Sequence, residues 1–130
     1  MIFRVVFIWL FVTLELFGFI IKVPETSAYV TLKQKGESHY VDGYERGVVV
    51  ADFTEIKHYK DITLLPFIVS NQGSGIFYYV AVFKNDKHKT SFFVGDRVDI
   101  KKIILKNDMV IVKFYTRDKI KNTKSFRYEQ

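Results

Sequence analysis

Residues 76–84 read IFYYVAVFK, a run in which every position before the closing lysine is apolar or aromatic. Side chains alternate across a strand, so one face carries Ile76, Tyr78, Val80 and Val82 and the other Phe77, Tyr79, Ala81 and Phe83. A strand that is apolar on both faces has to be buried on both, which makes it central. Its ends are marked as clearly as its middle. Gly73 and Gly75 around Ser74 allow a tight turn ahead of it. Asn85-Asp86-Lys87 is a hairpin signal behind it, with Thr90 to Val94 as the return strand. Gly95-Asp96 then turns the chain into Arg97.

Shorter segments of the same kind surround this one. Tyr29 to Gln34 alternates and is rich in β-formers, and Tyr40-Val41 precedes an Asp42-Gly43 turn. Val48 to Phe53 is a continuous apolar run, which predicts burial on both faces. Ile62 to Val69 reads as a strand, and Pro66, lacking an N–H, places it at a sheet edge or at a bulge. Arg97 to Leu105 and Met109 to Thr116 are joined by an Asn107-Asp108 hairpin. Thr54 to Asp61 is a loop or one helical turn. The segment after Asp118 is a basic, polar tail in which only Phe126 and Tyr128 are suited to docking. The expectation is an all-β (or β-rich α+β) domain over residues 29–118, an antiparallel sandwich or partly open barrel of seven to eight short strands, followed by a 119–130 tail.

Residues 1–28 read as a targeting segment. Arg4 precedes an apolar run from Val5 to Ile21, broken by Thr13, Glu15 and Gly18, with Lys22 and Pro24 beyond. Thr26 and Ala28 supply the small side chains that a signal peptidase requires, so a cut before Tyr29 is expected, placing the domain in the periplasm or outside the cell. The alternative is a retained apolar helix over about residues 1–22, anchoring the chain to the inner membrane and making the only membrane contact. That run is short for a span, which needs about 20 residues. Glu15 near its middle costs about 2.5 kcal/mol or more.

The 130-residue chain has a formal charge of +6. Loss of residues 1–28 removes two cations and two anions and leaves that charge unchanged. A basic surface suits anionic partners, and export separates it from chromosomal nucleic acid, so no nucleic-acid role is expected. The absence of cysteine excludes disulfides, thiolate metal sites and lipid-modified cysteine.

No motif specifies a reaction. The Gly73-Ser74-Gly75 sequence lacks the longer frame and following helix of a phosphate loop, and Ser74 lacks the glycine spacing of a nucleophile elbow. His39, His58 and His88 are widely spaced among polar residues, unlike a metal-ligand set. No catalytic residue, metal or cofactor is assigned. The candidate binding residues are Tyr78 and Tyr79 with Lys84, an aromatic and basic surface of the kind that holds polymer chains, and the Asp96-Arg97 pair at a strand start.

Val30-Thr31-Leu32-Lys33, the Val49 to Phe53 strand, Gly73-Ser74-Gly75-Ile76-Phe77-Tyr78-Tyr79-Val80-Ala81, Val94-Gly95-Asp96-Arg97-Val98 and the Val110 to Tyr115 strand form an ordered set. As a set they resemble a family of small, exported, uncharacterised bacterial proteins with a GGSGxFxYLA…LGDRV pattern. The resemblance implies export and a β fold, and it implies no reaction. The family pattern also carries an acidic DxDGDG-like loop, a plausible calcium ligand set. Here that loop is Asp52-Phe53-Thr54-Glu55-Ile56-Lys57, where Asp52 and Glu55 are the remaining acids. Hard cations need several convergent oxygens, so no metal is expected.

The functional expectation is therefore a non-enzymatic exported β-domain binding an envelope component, either a protein or an anionic polymer. A small membrane-anchored accessory subunit of an envelope complex is the alternative. An exported hydrolase, needing Asp52, Asp61 or Asp96 to meet a histidine, comes third.

Overall fold

The computed structural model describes residues 19–71 and 75–128. Among them are eleven strands in three antiparallel sheets, and no sheet closes into a barrel. β1 (Ile20–Lys22) and β2 (Tyr29–Thr31) form a two-stranded sheet. β3 (Ser38–Asp42), β4 (Glu45–Ala51), β6 (Ile62–Asn71), β7 (Ile76–Lys84) and β8 (Lys87–Asp96) follow one another across the large sheet, with β5 (Lys57–Tyr59) also paired to β6. β9 (Asp99–Lys106), β10 (Met109–Tyr115) and β11 (Lys121–Arg127) form the third sheet, with β10 in the middle.

β7 alternates as its sequence predicts. Val80 and Val82 are fully buried together with Leu64, Val94, Val110 and Val112, in a core between the large sheet and the three-stranded one. Ala81 and Phe83 are buried with Leu65, Phe67, Ile21 and Val23, in a second core beneath β1 and β2. The large sheet is thus the middle of three layers, and β6 and β7 are its spine. Each fully buried side chain of this size contributes about 1.5–3 kcal/mol.

Several expectations change. β6 is no edge strand: it pairs with β7 along Ile62–Ser70 and, on its other side, with β5 and then β4. Pro66 falls in the gap between those two partners, beside the 3-10 turn Phe53–Glu55. Its carbonyl accepts from the Asp52 N–H at 2.9 Å. A strand residue's N and O point the same way, so the missing N–H faces the gap, where it interrupts no ladder. β4 is buried on one face only, since Val50 is 36% exposed. The basic tail contains β11, paired along its whole length to β10, with Phe126 stacked on Phe92 at 4.7 Å.

The expected N-terminal helix lies outside the described residues up to Gly18, and its expected end falls on a strand. Ile20–Lys22 is β1, with burial alternating exposed, buried, exposed. The Val23 N–H donates to the Ala28 carbonyl and the Leu32 N–H to the Phe19 carbonyl, closing this sheet on both sides. Phe19 makes edge contacts at 5.4 Å with Phe53 and Phe83. Among the described residues the layered structure already includes Phe19, ten residues before the expected boundary at Tyr29.

β1 is tied to β8 through His88, whose Nδ1 accepts from the Lys22 N–H at 3.3 Å while Nε2 meets Ser91 Oγ at 2.8 Å. Burial holds His88 below the ordinary histidine value of about 6.5, outweighing a hydrogen bond with the Thr90 backbone that works the other way. The unfolded chain therefore binds the proton more readily, and stability rises with pH across this window. Urea unfolding midpoints should fall as pH drops below about 6.5, and His88→Asn should flatten that slope. A chain beginning at Tyr29 loses Ile21 and Val23 from the core, so its unfolding free energy should drop by roughly 3–6 kcal/mol in the same assay.

Candidate functional site

At one end of the molecule the large sheet and the three-stranded sheet part to leave an open cleft of about 670 Å³. Three pieces of chain line it: the start of β7 with Ile76 and Tyr78, the β8–β9 corner with Arg97, Val98, Asp99 and Lys101, and the β10–β11 connection with Tyr115, Thr116, Arg117 and Lys119. Its charged side chains are Arg97, Lys101, Arg117 and Lys119 against the single carboxylate of Asp99. Two tyrosines, Tyr78 and Tyr115, supply its aromatic surface.

The β8–β9 corner is built by Asp96. Its Oδ1 accepts from the Ile76 N–H at 3.0 Å, and its Oδ2 is 3.1 Å from Arg97 Nη1. The Arg97 N–H donates to the Ile76 carbonyl at 2.8 Å, locking the corner to the start of β7. Gly75 has φ +147°, a conformation that residues with a side chain rarely adopt, and a Cβ there would crowd Asp96 Oδ1 at 3.0 Å and the Phe77 ring. The β10–β11 connection is tied in the same way. Thr116 N–H donates to the Ile120 carbonyl at 2.9 Å, and Lys119 N–H donates to the Thr116 carbonyl at 2.8 Å.

Two of the four cations sit where the local backbone does not favour them, and a third sits at a register irregularity. Arg97 has φ +50° and Lys119 φ +64°, a left-handed conformation that a long side chain adopts at a cost of about 1–2 kcal/mol. Lys101 is the extra residue of a β-bulge, between the pairs Ile100–Phe114 and Lys102–Lys113. A bulge re-aims its side chain, and Lys101 Nζ meets Asp99 Oδ2 at 2.8 Å and lies 5.8 Å from the Tyr115 ring centre. The Asp99 hydrogen bond raises the Lys101 ammonium above its ordinary range, keeping it charged at any physiological pH. A second bulge, at Val94 of β8, lies opposite Tyr78 and Tyr79.

A smaller cavity of about 150 Å³ adjoins the cleft through Tyr78, Val98 and Asp99. Asp52 and Glu55, the two acids of the degenerate loop, line it with Pro66, Phe67, Ile68 and Ile100. Asp52 Oδ1 caps the 3-10 turn by accepting from the Thr54 N–H at 3.1 Å. Among the described residues no three His, Cys, Asp or Glu side chains stand together as metal ligands.

Of the five predicted binding residues, Tyr78 and Arg97 line the cleft and Asp96 holds its corner. Tyr79 points to the other face, stacked on Phe67 at 5.3 Å, and its burial raises the phenol above its ordinary range. Lys84 ends β7, six residues and roughly 20 Å along the strand from Tyr78. The sequence reading missed Lys101, Tyr115, Arg117 and Lys119. A signal was present for two of them, in the Arg117-Asp118-Lys119 run directly after a clear strand. The histidines lie elsewhere: His39 pairs with Glu37 at 3.5 Å, His58 with Thr63 at 3.1 Å and His88 with Ser91.

Because glycine carries no left-handed penalty, Lys119→Gly should leave stability unchanged or raise it by up to about 1 kcal/mol in urea unfolding. A destabilisation above that size would show that Lys119 holds the turn together rather than being held by it.

Comparison with known protein families, with curated proteins and with solved structures found no match.

Proposed function

We propose that this chain is a non-enzymatic exported β-domain that binds an anionic polymer of the cell envelope in the Tyr78–Tyr115 cleft. One observation carries the reading. Arg97 and Lys119 occupy left-handed backbone at one cleft, where glycine would be locally easier, and Lys101 reaches the same cleft from a bulge. Backbone held away from its preferred conformation gathers at sites of function. The open cleft suits a chain passing through it better than a small molecule enclosed by it. Guanidinium and ammonium groups beside tyrosine rings match alternating anionic groups and rings.

Export rests on Arg4 and the apolar run after it, and the family resemblance points the same way. The two larger sheets, face to face across a shared core, read as an open antiparallel sandwich. One observation favours the second reading, a membrane-anchored accessory subunit. Ile21 and Val23 are fully buried in the core, so a cut before Tyr29 would remove part of the fold and a retained N-terminus would keep it. Among the described residues no helix is long and apolar enough to cross a membrane. The hydrolase reading would need a histidine at the cleft, and His39, His58 and His88 are not among its lining residues.

Long-chain polyphosphate is a suitable first probe. Binding measured by calorimetry should weaken as ionic strength rises. Arg97→Gly should lower the affinity by roughly tenfold, the scale of one charge-assisted hydrogen bond. Equal binding by the wild type and an Arg97→Gln, Lys101→Gln, Arg117→Gln variant would refute the assignment of this cleft.

A further inference from the structure

We propose that the outer face of the three-stranded sheet rests on an anionic lipid bilayer. This does not depend on the polymer-binding reading of the cleft, whose lining residues it does not need. Residues 99–127 hold nine Lys and Arg against three Asp. That difference is the entire formal charge of +6, so the rest of the chain is neutral. Charge gathered in one part of a chain suits an extended anionic partner, either nucleic acid or a membrane.

The pairing registers sort these residues by face. Ile103, Val110, Val112 and Phe114 point into the core shared with the large sheet. On the opposite face Lys102 and Lys113 stand directly across from each other in one row. Lys106 and Arg127 flank Met109 in another row, and the paired Ile104 and Ile111 lie between the two. The cations are exposed, while Met109, Ile104 and Ile111 are half-buried among them.

Lysine on a solvent-facing sheet is ordinary, but this arrangement is not. Like charges directly opposite each other destabilise a sheet, and Lys102 and Lys113 are so placed. Edge protection explains lysine on an outer strand, yet Lys113 belongs to β10, the middle strand. Among the described residues, Lys102, Lys106 and Lys113 have no ion-pair partner, and Arg127 has Asp108 at 3.6 Å.

The layout of charge and apolar surface selects the partner. The two cationic rows lie about 13 Å apart along the strands, and the face is about 10 Å across. A single polymer chain following one row would leave the other unneutralised and the isoleucines in water. A bilayer meets both rows at once. Its headgroup phosphates take the ammonium groups, the lysine stems lie along its surface, and Ile104 and Ile111 enter between headgroups.

The chain has no cysteine, so one introduced thiol carries an environment-sensitive fluorophore to a single place. Ser125→Cys labels the proposed contact face, since Ser125 is exposed and pairs with Ile111. Tyr44→Cys, on the β3–β4 turn of the large sheet, is the control. With the full chain, phosphatidylcholine vesicles containing phosphatidylglycerol should shift the label at position 125 to the blue and leave the label at 44 unchanged. Pure phosphatidylcholine vesicles, which the apolar run at the N-terminus would meet equally well, should shift neither. Lys102→Gln with Lys113→Gln should weaken the response about thirtyfold, roughly fivefold for each lysine. The same pair should not lower the urea midpoint, because it removes a repulsion. The proposal is overturned if the label at 125 does not shift, if pure phosphatidylcholine shifts it equally, or if the two glutamines leave the response unchanged. An equal shift with long-chain polyphosphate in place of vesicles would also overturn it, and would give this face to a polymer.

Discussion

The pairing of β6 with β7 is the interaction on which the other layers depend. It runs unbroken from Ile62–Lys84 to Ser70–Ile76, and its two faces are the floors of two separate cores. Leu64, Val80 and Val82 serve one, and Leu65, Phe67, Ala81 and Phe83 the other. The smaller outer layer could not stand alone. A two-stranded sheet of three-residue strands is marginal in water, and β1 and β2 owe their order to the sheet below. The stack of Phe67 on Tyr79 across this pair adds about 0.5–1.5 kcal/mol beyond burial. Proline in the middle of such a spine is tolerable only because the chain spends its one missing donor where the neighbouring strand changes from β4 to β5.

The parts of this structure that could be read from sequence are those where local pattern and tertiary demand coincide. β7 has the predicted limits because an apolar run without polar interruption has no other soluble solution. β11 was hidden because Lys121, Asn122 and Lys124 are poor strand formers, and an outer strand rich in lysine is how sheets protect an edge. β1 is hidden for the opposite reason: its apolar residues continue the hydrophobic run before them, with only Gly18 between Phe17 and Phe19. Pro66 points to an edge or a bulge because a sequence does not show that a strand can have two successive partners on one side.

The candidate site divides along the same line. Tyr78 and Arg97 could be found because a strand start and a Gly-Asp corner fix them locally. Tyr79 could not be separated from Tyr78, since one step along a strand reverses the face and both faces here are aromatic. Lys101 reaches the cleft through a bulge set by its register against β10, which nothing in its own neighbours announces. Arg117 and Lys119 arrive by way of a connection whose closure depends on β11. The cleft is thus a product of how two sheets meet, rather than of any one motif.

The placement of β1 has a consequence for how the molecule is made. Its core partners Leu65, Phe67, Ala81 and Phe83 follow it by more than forty residues, and its His88 contact is 66 residues away. A chain leaving the ribosome therefore presents Ile21 and Val23 long before there is anything for them to rest on. The first hairpin of the described residues is among the last to settle, and until β6 and β7 have joined, it is an apolar strand without a home. That interval, rather than the finished fold, is where this protein is most exposed to misassembly.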